Sequence, residues 1–446
     1  MSTIKRRGFI KQSMVASAGL AIGAPAYIKG YFQNKPSEVI NVAVAGINSR
    51  GGAHVSNFNR IKNSRVVALC DVDQNLFPAM VSSIEKQGGV KPRTVVDFRE
   101  LLDDKDIDAV SIATPGYWHG LQTIWACQAG KDVYVEKPLS YNIVEGRKMV
   151  QAARKYNRVV QVGTQYRSAR VSQKAIQLLH EGAIGDIYMG RGIVYGFRGN
   201  IGRVPDSPVP EGVNWDLFRG PAPMIPFNKN HFHYNWHWYW DTSTGEFGNN
   251  GVHFMDRVRW AMKKDVHPVK ISCSGGFYVW DSDQEVPNLQ VATYEYSDGT
   301  IMELEVRSLY TPDEADSIIL LGSKGYAQLG TSFQTFLGNK KEPAINITLK
   351  DLEVDPTRAE LEKARIEFHF QNFIDCMRSR RWQDLNADVE QGHMSTAMMH
   401  LGNIAYRTGR KLTFDGKSEK FVNDKDANKY LSREKERKPY GLPKEV

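Results

Sequence analysis

The sequence predicts an α/β fold: a doubly wound parallel sheet in its first third, then an α+β region with an open, mostly antiparallel sheet. Three observations carry this. Apolar β-branched runs alternate with helical patterns up to about residue 165. Period-2 strands then follow one another over residues 269–338, and helical spacing returns from Ala359 to Arg410. The 446 residues exceed one ordinary core, so two domains are expected, 38–165 and 166–416. A segment 1–30 precedes them, and a charged tail 417–446 follows, which reads as solvated and partly extended.

The first segment, "KRRGFIKQSMVASAGLAIGAPA", has a basic head with paired Arg6 and Arg7, a mildly apolar run Met14 to Ile22, and a small-residue site at Ala24-Pro25-Ala26. This resembles a twin-arginine export signal, and the run is too short for a permanent bilayer anchor. A periplasmic or otherwise exported protein, without a stable membrane anchor, is expected. Four cations of the segment (Lys5, Arg6, Arg7, Lys11) supply half of the formal charge of +8, so the remaining chain is only mildly basic. No Lys/Arg stripe interleaved with aromatics occurs, which argues against a nucleic-acid partner. The four cysteines are widely spaced without CxxC, so neither a zinc pattern nor a disulfide scaffold is present, and no metal is expected.

In order, "VINVAVAGI" is a central strand and "NSRGGAHVSNFNRI" a glycine-containing turn into a helix. "RVVALCDVD" is a second strand ending in acid, "DAVSIATP" a third strand, "HGLQTIWACQAG" a helix, "DVYVEKP" a strand, "GRKMVQAARKYN" a helix and "VVQVGTQYR" a strand. Gly190 to Trp240 is rich in Gly, Pro and aromatics, as suits long loops over a site. "VATYEYSDGTIMELEVR" is a hairpin around Ser297-Asp298-Gly299.

The first turn, Gly46-Ile-Asn-Ser-Arg-Gly51, has two of the three glycines of a dinucleotide loop, Asn48 standing at the middle one. Asn tolerates left-handed backbone angles, which softens the departure. With Ser49 and Arg50, these residues are candidates for the pyrophosphate. Asp71 ends the second strand 20 residues past Gly51, where an acid bonds ribose hydroxyls and repels a 2′-phosphate. NAD is therefore favoured over NADP, with Arg50 a cation that complicates the preference. Thr114, His119, Glu136 and Lys137 sit at the ends of the next two strands, where an open parallel sheet has its ligand crevice. A lysine there can bond a substrate hydroxyl and tune its proton loss. Gln165, Tyr166 and Arg167 end the following strand and are candidates near nicotinamide or substrate. "HFHYNWHWYWD" holds three histidines among aromatics. Its rings suit the apolar face of a sugar, so Trp236, His237 and Trp240 are carbohydrate candidates, against plain loop packing. "GNNGVHFMDRVRWAM" begins a helix with His253 and Arg257 on one face, where a histidine satisfied by backbone is the bland alternative.

The glycine turn, Asp71, "ATPGYWH", "EKP" and "GEFGNNGVHFMD" together resemble the glucose–fructose oxidoreductase, inositol dehydrogenase and rhizopine-catabolism (Gfo/Idh/MocA) family over roughly residues 38–410. The resemblance implies a Rossmann domain joined to an α+β domain whose open sheet forms homo-oligomers, and redox chemistry on a carbinol of a sugar or cyclitol. It implies that Lys137 is the catalytic lysine and His253 the proton acceptor or donor; Asp256, read from its place three residues on, is expected to orient that imidazole or to pair with a cation. Where the family often has aspartate, this chain has Asn249, so the relay around His253 differs. An exported enzyme of this kind lacks a pool of fresh cofactor, so tightly retained NAD, reset within each cycle, is expected. The alternatives are an NAD-dependent glycosidase, working by oxidation, elimination, hydration and re-reduction, and a non-catalytic sugar-binding protein. Such glycosidases tend to lack the E-K-P lysine present here.

Overall fold

Six strands build the first sheet: β1 (Ile40–Ala45), β2 (Ser64–Cys70), β3 (Arg93–Val95), β4 (Ala109–Ile112), β5 (Asp132–Val135) and β6 (Val160–Val162), in the order β3-β2-β1-β4-β5-β6. All pairings are parallel. Val42, Ala43, Val44 and Ala45 are fully buried, as both covered faces require. The strand order reverses at β1 and β4, so the crevice lies beyond their carboxyl ends. This computed structural model describes residues 39–310, 317–352 and 358–446; the predicted export signal, 1–30, lies outside the described residues.

One face of this sheet is completed by a distant part of the chain. Phe370, Phe373, Ile374 and Met377, on the helix Arg358–Ser379, pack with Phe58 of the helix Arg50–Arg60 and Tyr134 of β5. The Tyr134 and Phe370 rings stack at 4.3 Å and 15°, and each fully buried side chain of this kind stabilises by roughly 1.5–3 kcal/mol. A boundary at residue 165 therefore divides the two sheets but not the two cores. The helical pattern after Ala359, grouped by sequence with the second domain, belongs in part to the first.

The second sheet has ten strands: β7 (Ile187–Tyr195), β8 (Lys270–Gly276), β9 (Leu289–Glu295), β10 (Ile301–Arg307), β11 (Ser317–Gly322), β12 (Gly325–Leu329), β13 (Phe333–Leu337), β14 (Ile345–Ile347), β15 (Leu412–Asp415) and β16 (Lys420–Phe421). Their order is β14-β13-β12-β11-β7-β10-β9-β8-β15-β16, antiparallel except for β7 with β10. The β9–β10 hairpin forms as its turn residues predict. Ala292, Tyr294, Met302 and Leu304 face a core shared with the helices Val252–Ala261 and Val389–Thr408. On the other face of β10, Glu303 and Glu305 pair with Arg191 of β7.

The tail departs from the solvated, extended reading. Phe421, Ala427, Leu431 and Tyr440 are buried, and Arg437 reaches Asp216 and the Gly220 carbonyl. Its charge masked widely spaced apolar anchors. Glu419 accepts from His267, His393 and Arg147 at 2.9, 2.6 and 2.8 Å. Among the described residues, His267, His393 and Glu419 are the one group of three side chains placed to ring an ion, and Arg147 already lies on the same carboxylate oxygen. Among the described residues, no helix is long and apolar enough to cross a membrane.

Candidate active site

The turn after β1 brings two strand ends together. Gly46 has φ +76°, and a Cβ there would lie 2.7 Å from the Ala113–Thr114 backbone; one on Gly51 would lie 1.6 Å from the Gly46 carbonyl oxygen. Both glycines are thus demanded by the chain itself. The left-handed residue is Ser49 (φ 47°), not Asn48. Asn48 instead uses its amide, Nδ2 donating to His233 Nδ1 at 3.0 Å. Asp71, past the end of β2, accepts from the Ile47 amide (2.8 Å) and the Asp73 amide (3.0 Å), and burial pushes its carboxyl up. It lines the crevice with lone pairs to spare, so it fits a ribose diol. Arg50 gives Nε to Glu136 at 2.7 Å, which pairs the cation that complicated the NAD preference.

The opposite end of the crevice is built from strand ends. Thr114 Oγ1 donates to Gln122 (2.7 Å), and the His119 ring lies between the Pro138 and Thr114 carbonyls, 2.8 Å from each. Glu136 also accepts from His54 (3.1 Å), and the adjacent Arg50 and His54 overcome desolvation to hold its carboxyl well below the usual range. Lys137 Nζ donates to the Asn249 backbone oxygen (2.6 Å) and to Asn249 Oδ1 (3.1 Å). Desolvation lowers its ammonium's pKa, an effect opposed by the Glu136 charge.

Asn249 lies in a π-helical turn, Phe247–Gly251, that runs into the helix Val252–Ala261; such turns recur at functional sites. His253, one turn on, is buried. Burial and the charge of Lys137 push its pKa well down, so the ring is neutral, and its Nδ1 has no hydrogen-bond partner. The same burial and neighbouring cation that keep the imidazole neutral also disfavour its taking up a proton.

The segment between β7 and residue 240 roofs the crevice. On one bank, the Asn214 amide bonds the Val72 carbonyl (2.8 Å) and the Gln74 amide bonds Gly212 (2.9 Å). On the other, Tyr117 Oη and Trp118 Nε1 donate to the Phe218 and Leu217 carbonyls at 2.6 and 3.0 Å. His233 bridges Asn48 and Asp73, the latter at 3.2 Å. Trp236 and His237 line the crevice as a stacked pair (3.7 Å, 24°), and burial pushes His237 down to about 3. His231 stacks instead on Tyr239 at 3.6 Å.

The crevice wall thus collects Gly46, Asn48, Ser49, Arg50, Asp71, Thr114, His119, Glu136, Lys137, Trp236, His237 and Asn249. Seven predicted residues do not line it: Gly51, packed under the Gly46 carbonyl, the buried His253, and five more. Arg167 holds Asp256 in a buried bidentate pair (2.7 and 2.9 Å), with Ser395 also donating to Asp256, so the acid orients no imidazole and neither residue is left for substrate. Tyr166 stands edge-on to His253 (5.3 Å) under the guanidiniums of Arg257 and Arg365. Gln165 is buried behind the wall. Trp240 turns to a second cavity, stacked on Tyr406 beneath Arg407. Missed by sequence reasoning were Trp118 on the bank, the roof residues Phe218, Phe232 and His233, and Glu246, whose carboxylate meets Asn249; only the aromatic density of the loop and the acid in "GEFGNN" hinted at them.

An acid past β2, a lysine past β5 and a neutral histidine beyond it define a nicotinamide-binding oxidoreductase scaffold. The chain belongs to the GFO_IDH_MocA oxidoreductase family: residues 40–164 match its NAD-binding Rossmann fold and residues 193–442 its C-terminal alpha/beta domain. The WlbA dehydrogenase of Bordetella pertussis, crystallised with NADH and UDP-GlcNAcA, shares the fold at 21% identity and TM-score 0.62, over 84% of this chain and 98% of that one. So does the aldose-aldose oxidoreductase of Caulobacter crescentus, complexed with glycerol, at 18% identity and TM-score 0.62, over 84% and 100%. An alpha-N-acetylgalactosaminidase of Shewanella oneidensis is 28% identical over 212 residues, 43% of this chain and 46% of the relative. The chain therefore spans less than half the length of the curated relatives it matches.

Proposed function

We propose that the protein is an NAD-dependent oxidoreductase acting on a secondary carbinol of a sugar, cyclitol or glycoside, with its cofactor retained from one turnover to the next. The observation that carries this is a crevice running from Asp71 to Lys137 beneath a segment bonded to both banks. When bound, NAD supplies hydride acceptance at its nicotinamide ring. The glycine turn and Asp71 hold the cofactor, and Lys137 meets the substrate hydroxyl. Lys137, whose ammonium form desolvation disfavours, assists proton loss from that hydroxyl, with His253 the further acceptor or donor that the family resemblance names, a weak base while the Lys137 charge stands beside it. Trp236 and His237 offer flat faces to the apolar side of the ring.

The twin-arginine reading of Arg6 and Arg7 supports export to the periplasm after loading. The family resemblance supports a homo-oligomer through the open ten-stranded sheet, which light scattering during gel filtration tests. The likeness to an alpha-N-acetylgalactosaminidase favours redox-assisted hydrolysis as the second reading, and the retained Lys137 ranks it below.

The test is to purify the exported form without added NAD, record the absorbance of bound nicotinamide, and mix in sugars and glycosides. Reduction that persists until a carbonyl compound is added is the expected result. Free sugar released from a glycoside without lasting reduction replaces the proposal by hydrolysis, and saturable sugar binding with no redox change replaces it by a binding protein.

A further inference from the structure

Glu246 is 1% exposed, and no part of the reading above uses it. It sits one residue before the π-helical turn that carries Asn249. Its Oε2 accepts from Asn249 Nδ2 at 3.0 Å. Its Oε1 accepts from Arg198 at 3.1 Å and from Asn250 Nδ2.

A carboxamide has two ends, and only its oxygen can meet an ammonium, which donates and never accepts. Lys137 Nζ lies 3.1 Å from Asn249 Oδ1. An acceptor is therefore required on the nitrogen side, or the amide gains nothing by this orientation. Glu246 is the nearer acceptor at 3.0 Å, with Tyr234 Oη at 3.5 Å on the same nitrogen, and Arg198 and Asn250 hold Glu246 still.

We infer that Glu246 is a positioning residue: its buried carboxylate turns the Asn249 side-chain amide so that Oδ1 joins the Asn249 backbone oxygen in facing the Lys137 ammonium. A cation and an anion then face each other across a neutral amide. The negative charge demanded near a reacting lysine is supplied three residues before the asparagine, and the amide passes on its orientation. The inference rests on the proposed reading of Lys137 as the group that meets substrate.

The carboxylate also favours the charged form of Lys137, which gives a readout independent of turnover. The probe is acetic anhydride, with labelling of Lys137 followed by peptide mass spectrometry across pH, in wild type, Glu246→Gln and Glu246→Asp. In Glu246→Gln the labelling midpoint moves to lower pH, because the anion that stabilised the ammonium is gone. Turnover falls about 10²-fold from the misplaced lysine, with KM within about threefold, and Glu246→Asp recovers much of both effects. A midpoint that stays in place in Glu246→Gln overturns the inference, whatever happens to turnover. Should Glu246→Gln fail to fold, Asn249→Asp probes the same axis: an acid set directly against Lys137 raises the midpoint, and an unmoved midpoint overturns the inference. Failure of the underlying reading is separate: Lys137→Ala would then turn over like wild type while the midpoints still moved.

Discussion

Two buried carboxylates flank Lys137, and they do different things. Glu136, its neighbour in sequence, is bound by Arg50 and His54. A Cβ on Gly163 would lie 2.8 Å from its carboxylate, so the turn after β6 is packed against it. This acid ties the glycine-turn helix to the ends of β5 and β6. Glu246 is bound by Asn249, Asn250 and Arg198, and it governs the direction of an amide. The two are 5% and 1% exposed. Burial does not separate a clamp from an orienting group; the identity of the partners does.

The sharpest way to test that contrast is to remove what both acids surround. Lys137→Ala is expected to lower turnover about 10²–10⁴-fold, with bound nicotinamide at wild-type occupancy by absorbance. A parallel loss of cofactor would make Lys137 part of the clamp. Next, Glu136→Ala strands Arg50 and His54 and is expected to destabilise by about 3–5 kcal/mol in urea unfolding, a loss that Glu246→Gln does not share. Because the folded Glu136 carboxyl is held below its unfolded value of about 4.3, its stabilisation is present above that pH and lost as pH falls through the lower folded value. The stability gap between wild type and Glu136→Gln should accordingly close in acid; a gap constant with pH would deny the clamp. The smallest effects repeat the contrast in the aromatic segment. Trp236→Ala is expected to raise KM about three- to tenfold, whereas Trp240→Ala, facing the second cavity, should leave KM within about twofold.

Much of the first sheet is legible from sequence because its strands are short apolar runs rich in β-branched residues, closed by glycine, an acid or Thr-Pro. Asp71 and Lys137 were legible for the same reason: both stand just past strand ends, and the sheet's winding brings strand ends together. Residues whose role depends on a partner far along the chain were not. Arg167 and Asp256, 89 positions apart, neutralise each other, and each alone reads like a site residue. Trp236 and Trp240 share one aromatic run, yet only a fold shows that they face different cavities. His233 gave no sign that it would span Asn48 and Asp73. Glu246 was visible as an acid, but its meaning depends on which way an amide turns.

The helix that seats Phe370 and Phe373 against Tyr134 has a consequence for biosynthesis. The ribosome releases β1 to β6 some 200 residues before it makes that helix, so during elongation one face of the nucleotide-binding sheet waits uncovered. A truncated product ending near residue 165 leaves Phe58 and Tyr134 open to water, the kind of surface that chaperones hold and that aggregates when they do not. The crevice wall, which ends at Asn249, is thus synthesised before the helix that covers the sheet behind it.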